Sequence, residues 1–180
     1  TAATPALGVT GTHGKTTTSY LIDSILRAAG MSTGVVGTLG YRVGGRSIAG
    51  DMTSPESLDL ARLLFSMVEE GTDAVTMEVS SHALALKRTS GMTFDTATFT
   101  NISRDHLDFH GTLEEYAAAK SLLFEQLAGD GWKPGATAVI NTDDPFGREL
   151  AERIDLFGNV ALVTYGRGKA DVRLREADVS

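Results

Sequence analysis

An α/β fold, a mostly parallel sheet flanked by helices, is predicted by three observations. Short apolar strands alternate with segments of helical period, a glycine-rich loop follows the first strand and opens a helix, and polar clusters recur just after strand ends. The first strand is expected at 6–10 and the helix behind it at 15–29, marked by Tyr20, Leu21, Ser24, Ile25 and Ala28. Further strands are expected near 34–38, 73–78, 95–100, 136–141 and 160–165, with helices near 56–69, 112–128 and 144–153. The segment GYRVGGRSIAG, residues 40–50, reads instead as a small added hairpin turning on Gly44 and Gly45.

The bulk properties narrow the function classes. A chain of 180 residues suits one domain with a real core, and two full domains would be cramped. With no cysteine there is no disulfide or thiolate metal site, and no apolar run is long enough to span a membrane. A cytoplasmic protein is expected. The net charge of −7 argues against a nucleic-acid surface, so any phosphate site must be local. Thr1 in place of an initiator methionine, and the tail DVRLREADVS that alternates like a strand without a partner, suggest a domain excised from a longer chain.

In an open parallel sheet, ligands bind beyond the carboxyl ends of the strands, and the chemistry-bearing residues cluster there. GVTGTHGKTTT, residues 8–18, reads as a phosphate-binding loop: Gly11 and Gly14 let successive amides turn inward, Lys15 reaches phosphate oxygens, and the Thr16 hydroxyl suits Mg²⁺. Val9 replaces the first glycine of the strict pattern. Glu78 ends a strand and offers hard oxygen ligands. In RDHLDFH, residues 104–110, His106 and His110 have helical zinc spacing but lack the catalytic glutamate, and Gly111 follows at once; His106 is read as a metal ligand or phosphate contact and His110 as the structural residue. Lys120 is anomalous, lying in the apolar stripe of Leu113, Tyr116, Ala117, Phe124 and Leu127, while Glu114, Glu115, Glu125 and Gln126 take the other face. Its stem either packs while the ammonium snorkels to water, or the amine is buried with a lowered pKa and a partner or modification.

With these residues in view, the chain resembles the P-loop NTPase-like central domain of the Mur ligases, ATP-dependent amide ligases of peptidoglycan synthesis. TGTHGKTTT (10–18), TSPESL (53–58), MEVSSHAL (77–84), FTNISRDHLDFHG (99–111), YAAAK (116–120) and NTDDP (141–145) occur in family order, and the combination looks most like the branch adding the third stem-peptide residue. The resemblance implies that residues 1–180 form an ATP-binding central domain, with UDP-binding and amino-acid-binding domains lying outside this chain. ATP would contact Gly11, Thr12, His13, Gly14, Lys15, Thr16 and Thr17, with Asn141 near the base. Thr16 and Glu78 would hold one Mg²⁺, and His106 and a carbamylated Lys120 would serve a second. Thr53, Ser54, Ser80 and Arg88 match contacts to a UDP-N-acetylmuramoyl-dipeptide, and Lys15, His106 and Lys120 would carry catalysis. His13 stands where the tripeptide-forming members usually have Asn, and Leu86 where some have Gln. Other ligases with this domain, such as cyanophycin synthetase, or a non-catalytic nucleotide-binding module, are the competing readings. Which amino acid is added is not legible, because the resemblance assigns that choice to a carboxyl-terminal domain.

Overall fold

A computed structural model describes residues 4–129 and 133–175. Its order is β1 (Ala6–Thr10), α1 (Lys15–Ala28), β2 (Thr33–Gly37), β3 (Gly40–Val43), β4 (Arg46–Ile48), α2 (Ser57–Glu69), β5 (Ala74–Glu78), α3 (Ser81–Ala85), β6 (Thr96–Phe99), α4 (Leu107–His110), α5 (Leu113–Ala128), β7 (Thr137–Asn141), α6 (Pro145–Asp155), β8 (Ala161–Gly166) and β9 (Val172–Arg173). The strands join one sheet in the order β4-β3-β2-β5-β1-β6-β7-β8-β9. Only β3 and β4 run antiparallel to their neighbours, forming the expected hairpin; the remaining pairs are parallel.

Burial explains the strand composition. β2 and β5 are buried along their whole length, as parallel strands covered on both faces must be. Val36, Met77, Phe94, Phe99, Leu123, Phe124 and Ile140 form the centre of one core. β1 lies between β5 and β6, where the chain's progression across the sheet reverses, so the loop after β1 opens into the crevice of a topological switch point. No helix among the described residues is long and apolar enough to cross a membrane. The tail, expected as a strand without a partner, instead pairs: its short β9 lies parallel to β8; residues 176–180 lie outside the described region.

The inward face of α1 also differs from the expectation. The 15–29 helix forms, but its apolar pattern is not its inner face: Leu21 and Ile25 are 60% and 68% exposed, whereas Ser19 and Asp23 are fully buried. The preceding loop fixes the helix's rotation. Once Lys15 and Thr16 face the crevice, positions four and eight residues on turn inward. The buried Asp23 carboxylate is compensated by Arg42 of β3, by Arg27 at 3.1 Å and by the Thr33 hydroxyl at 2.6 Å, which fastens α1 to the hairpin.

Helix α5 is set by a capping box. The Thr112 hydroxyl accepts from the Glu115 amide at 3.1 Å, and Glu115 accepts from the Thr112 amide at 3.2 Å. Thr112→Ala is expected to lower stability by about 1 kcal/mol, read as a shifted urea midpoint at constant slope; an unchanged midpoint would contradict this role.

Candidate functional site

The loop between β1 and α1 depends on two glycines. Gly14 caps α1 at φ 83° with no side chain capping the helix, so the first-turn amides remain available to an anion. Gly11 has φ 151°, and a Cβ there would overlap the Thr100 hydroxyl. From the β6 end, Asn101 holds the loop: its carbonyl accepts the Thr12 amide at 2.9 Å, its side-chain oxygen the His13 amide at 3.0 Å, and its amide group donates to the His13 carbonyl at 3.0 Å. The Thr100 hydroxyl donates to the same carbonyl at 2.7 Å. His13 itself is exposed, with Nε2 3.2 Å from the Ser103 hydroxyl. Thr17 is exposed beside it on the first turn of α1.

Lys15 curls back over the loop, its Nζ donating to the carbonyls of Gly11 and Thr12 at 2.9 and 3.0 Å. Burial holds its pKa below the usual lysine range, with Glu78 pulling the other way. Thr16 donates its hydroxyl to Glu78 Oε2 at 2.8 Å. Glu78 is fully buried, and among the described residues no Lys or Arg closes a salt bridge with it. Such a carboxylate beside a hydroxyl is a donor set that fits a hard divalent cation.

Lys120 is also buried, only 1% exposed. The snorkelling alternative is therefore wrong: its Nζ donates to the Gly11 carbonyl at 2.8 Å and lies 4.2 Å from the centre of the Tyr116 ring. Two lysines thus meet at one carbonyl oxygen. Burial first, and then the charge of Lys15, lower the Lys120 pKa to about 7. The Tyr116 hydroxyl contacts the Thr12 hydroxyl at 3.2 Å, and the His106 ring stands 6.0 Å from the Tyr116 ring.

His106 and His110 separate as the glycine at 111 implies. His106 is the left-handed N-cap of the one-turn α4, φ 52°, with a half-exposed ring 3.6 Å from Asp105. His110 is buried, its Nε2 2.9 Å from the Ser81 hydroxyl, a structural pairing across the core. Burial, followed by the neighbouring His82, holds its pKa below the usual histidine value.

Thr53, Ser54, Ser80 and Arg88 also come together. The Ser54 hydroxyl is buried, donating to the Glu78 carbonyl at 2.9 Å and accepting from the Ser80 amide at 3.1 Å. Ser80 caps α3 through the Ala83 amide. Arg88 lies 3.4 Å from the Ser54 carbonyl and pairs with Glu56 at 2.7 Å. On the other flank, Asn141 donates to the Thr100 carbonyl at 2.7 Å and lines a cavity of about 320 Å³ with Asp143, Tyr165 and Arg173. A larger groove of about 510 Å³, lined by Leu84, Lys87, Met92 and Leu122, shares no residue with this cluster. Leu86 is exposed at the end of α3.

Two residues of the cluster escape sequence reasoning as site residues: Tyr116, which covers Lys120, and Thr38, which contacts Glu78; Asn101, which holds the loop, falls on the strand-end rim where ligands are expected but is given no role there by the sequence. Asn101 carries a signal in its place at a strand end. Tyr116 reads only as an apolar stripe residue.

Comparison with known proteins bears on the family and the fold. A family model described as the Mur ligase middle domain matches residues 9–180. A UDP-N-acetylmuramoyl-L-alanyl-D-glutamate–2,6-diaminopimelate ligase of Solibacter usitatus is 51% identical over 169 residues, covering 93% of this chain and 33% of that protein. The ligase of the same name from Geobacillus thermodenitrificans is 45% identical over 177 residues, covering 97% and 35%. The chain therefore spans about a third of the length of the curated relatives it matches. A solved structure of a ligase of that name superposes with TM-score 0.79 at 31% identity, covering 95% of this chain and 34% of that one. A folylpolyglutamate synthase of Mycobacterium tuberculosis, complexed with ADP and AMPPCP, superposes at TM-score 0.66 over 89% of this chain and 42% of that one; at 18% identity it shares the fold.

Proposed function

The chain belongs to the Mur ligase family through its middle domain, and from that premise we propose that it is the ATP-binding domain of an enzyme that adds the third stem-peptide residue to UDP-N-acetylmuramoyl-L-alanyl-D-glutamate. The residue added is 2,6-diaminopimelate, as the relatives' names state for them. The observation that carries this reading is the convergence of Lys15, Thr16, Glu78 and Lys120 on one loop. The protein acts in the cytoplasm, where ATP and the UDP-linked precursor are available.

The reaction needs the γ-phosphoryl group of ATP to pass to the substrate carboxylate, with release of ADP. The amine then attacks the carbonyl carbon of the acyl phosphate, phosphate leaves as the C–O bond breaks, and the nitrogen loses a proton. Such transfers are accelerated mainly by positioning and charge stabilisation. The amides of Gly14, Lys15, Thr16 and Thr17 cradle the phosphates at the positive end of α1, supported by Gly11, Thr12 and His13. Lys15 leaves the Gly11 and Thr12 carbonyls and places its charge on the transferred group. Asn141 borders the nucleotide base. Thr53, Ser54, Ser80 and Arg88 hold the muramoyl-dipeptide, with Ser54 fixing the backbone while Arg88 presents the charge.

Thr16 and Glu78 would hold one Mg²⁺, and His106 with a Lys120 carbamate a second. Mg²⁺, when bound, neutralises charge on the phosphate oxygens. At a pKa of about 7, much of Lys120 is a free amine at neutral pH, able to add CO₂ with loss of a proton. The product is anionic, which removes the clash of two ammonium groups at the Gly11 carbonyl.

The test is phosphate release by the enzyme carrying this domain. Release should require ATP, the UDP-muramoyl-dipeptide and 2,6-diaminopimelate together; release independent of the muramoyl substrate would overturn the reading. The 180-residue chain alone is expected to bind nucleotide without ligating, since the flanking domains supply substrate grip. In that chain Glu78→Gln should abolish the Mg²⁺ dependence of nucleotide binding, a loss of about tenfold or more measured by calorimetry. Unaltered dependence would remove Glu78 from the metal site.

A further inference from the structure

The turn between β2 and β3 consists of Thr38 and Leu39, bracketed by the paired Gly37 and Gly40. Both glycines are required. A Cβ on Gly37 would overlap the Glu78 carboxylate, and Gly40 takes φ 100° against the Ile48 carbonyl. The turn is thus shaped around Glu78 and delivers Thr38 to it. The Thr38 amide donates to Glu78 Oε1 at 2.9 Å, and its hydroxyl donates to Oε2 at 3.1 Å, the oxygen that also accepts from Thr16. On its other side the Thr38 hydroxyl is 3.0 Å from that of Thr53.

A hydroxyl has one proton, and an ionised carboxylate only accepts. Thr38 therefore donates to Glu78 and accepts from Thr53, which fixes the direction of the chain Thr53 to Thr38 to Glu78. We propose that Thr38 is a positioning residue that orients the Glu78 carboxylate toward Thr16 and couples it to Thr53 in the loop at residues 53–54. Thr53 can give its proton to Thr38 or to an incoming acceptor, but not to both. An acceptor seated on Thr53 is consequently felt at Glu78. This inference rests on the reading of Thr16 and Glu78 as the cation site and goes beyond it by adding the residue that aims the carboxylate.

The test uses the 180-residue chain, Mg²⁺ and the non-hydrolysable analogue AMPPNP. Thr38→Val keeps the amide and the shape but removes the hydroxyl. It should weaken AMPPNP binding about fivefold in Mg²⁺ and leave binding in EDTA unchanged, while Thr38→Ser restores wild-type affinity to within about twofold. The Thr38→Val/Thr53→Val pair should be non-additive. Equal weakening with and without Mg²⁺, or failure of serine to rescue, would overturn the proposal. If wild-type binding itself ignores Mg²⁺ the cation-site reading fails. A ligand-free crystal structure of Thr38→Val decides the positioning claim separately: the carboxylate should turn away from the Thr16 hydroxyl, and an unmoved carboxylate overturns it.

Discussion

Replacing Lys15 by alanine is expected to lower ligation by the enzyme carrying this domain by about 10²- to 10³-fold while leaving the fold intact. Removing one charge-stabilising donor from a phosphoryl-transfer site has effects of that order, and of the two ammonium groups that meet at the Gly11 carbonyl Lys15 is the freer to move. Lys120 is held beneath Tyr116, whereas Lys15 is only partly buried and bonded to two loop carbonyls. Loss of the ammonium also removes a desolvation penalty, so the melting temperature should not fall. The check is kcat beside a thermal melt. Turnover within about twofold of wild type would remove Lys15 from the chemistry.

Lys120→Met should do the reverse of what a core substitution usually does: stabilise the chain while inactivating the enzyme. The ammonium is buried, and its pKa falls from 10.5 to about 7. Below pH 7 both folded and unfolded states carry the proton, and the folded state bears the whole cost of burying the charge. Between pH 7 and 10.5 the unfolded chain binds more protons, so wild-type stability rises with pH as that cost is relieved. Methionine fills a similar volume without the charge, and the Gly11 carbonyl keeps its bond from Lys15. The variant should therefore gain ~1–4 kcal/mol at pH 6, with the gain shrinking at pH 9, measured by urea unfolding in bicarbonate-free buffer. Destabilisation at pH 6 would show that the ammonium is adequately compensated in the folded state. Retained ligation activity would show that the site does not need the amine or a group built on it.

The parallel sheet was legible because short apolar segments alternate with segments of helical period, and its inner strands β2 and β5 are buried along their whole length. The hairpin was legible because Gly44 and Gly45 both adopt positive φ. Lys120 stood out for the same reason: a lone cation in an apolar stripe has few places to go. Orientation was harder to read. The inward face of α1 is set by the loop before it and by the Asp23–Arg42 pair formed with β3, a tertiary constraint that hydrophobic period cannot express. Thr38 was missed through a shift of one residue. Reading the strand as 34–38 buries Thr38 in the ladder, whereas β2 ends at Gly37 and frees Thr38 for Glu78. The Ser81–His110 pair spans 29 positions, so adjacency in SerSerHis concealed the true partner. His13 gives its backbone to Asn101 and Thr100; nothing in the loop geometry explains why histidine stands there.

The central claim is that the loop after β1, with Lys15, Thr16 and Glu78, is a Mg²⁺-nucleotide site. Calorimetric titration of AMPPNP into the chain tests it most directly, run with Mg²⁺, with EDTA and with Lys15→Ala. Saturable one-to-one binding that weakens about tenfold or more in EDTA and in the variant is the expected result. No binding, or binding indifferent to both Mg²⁺ and Lys15, would contradict it.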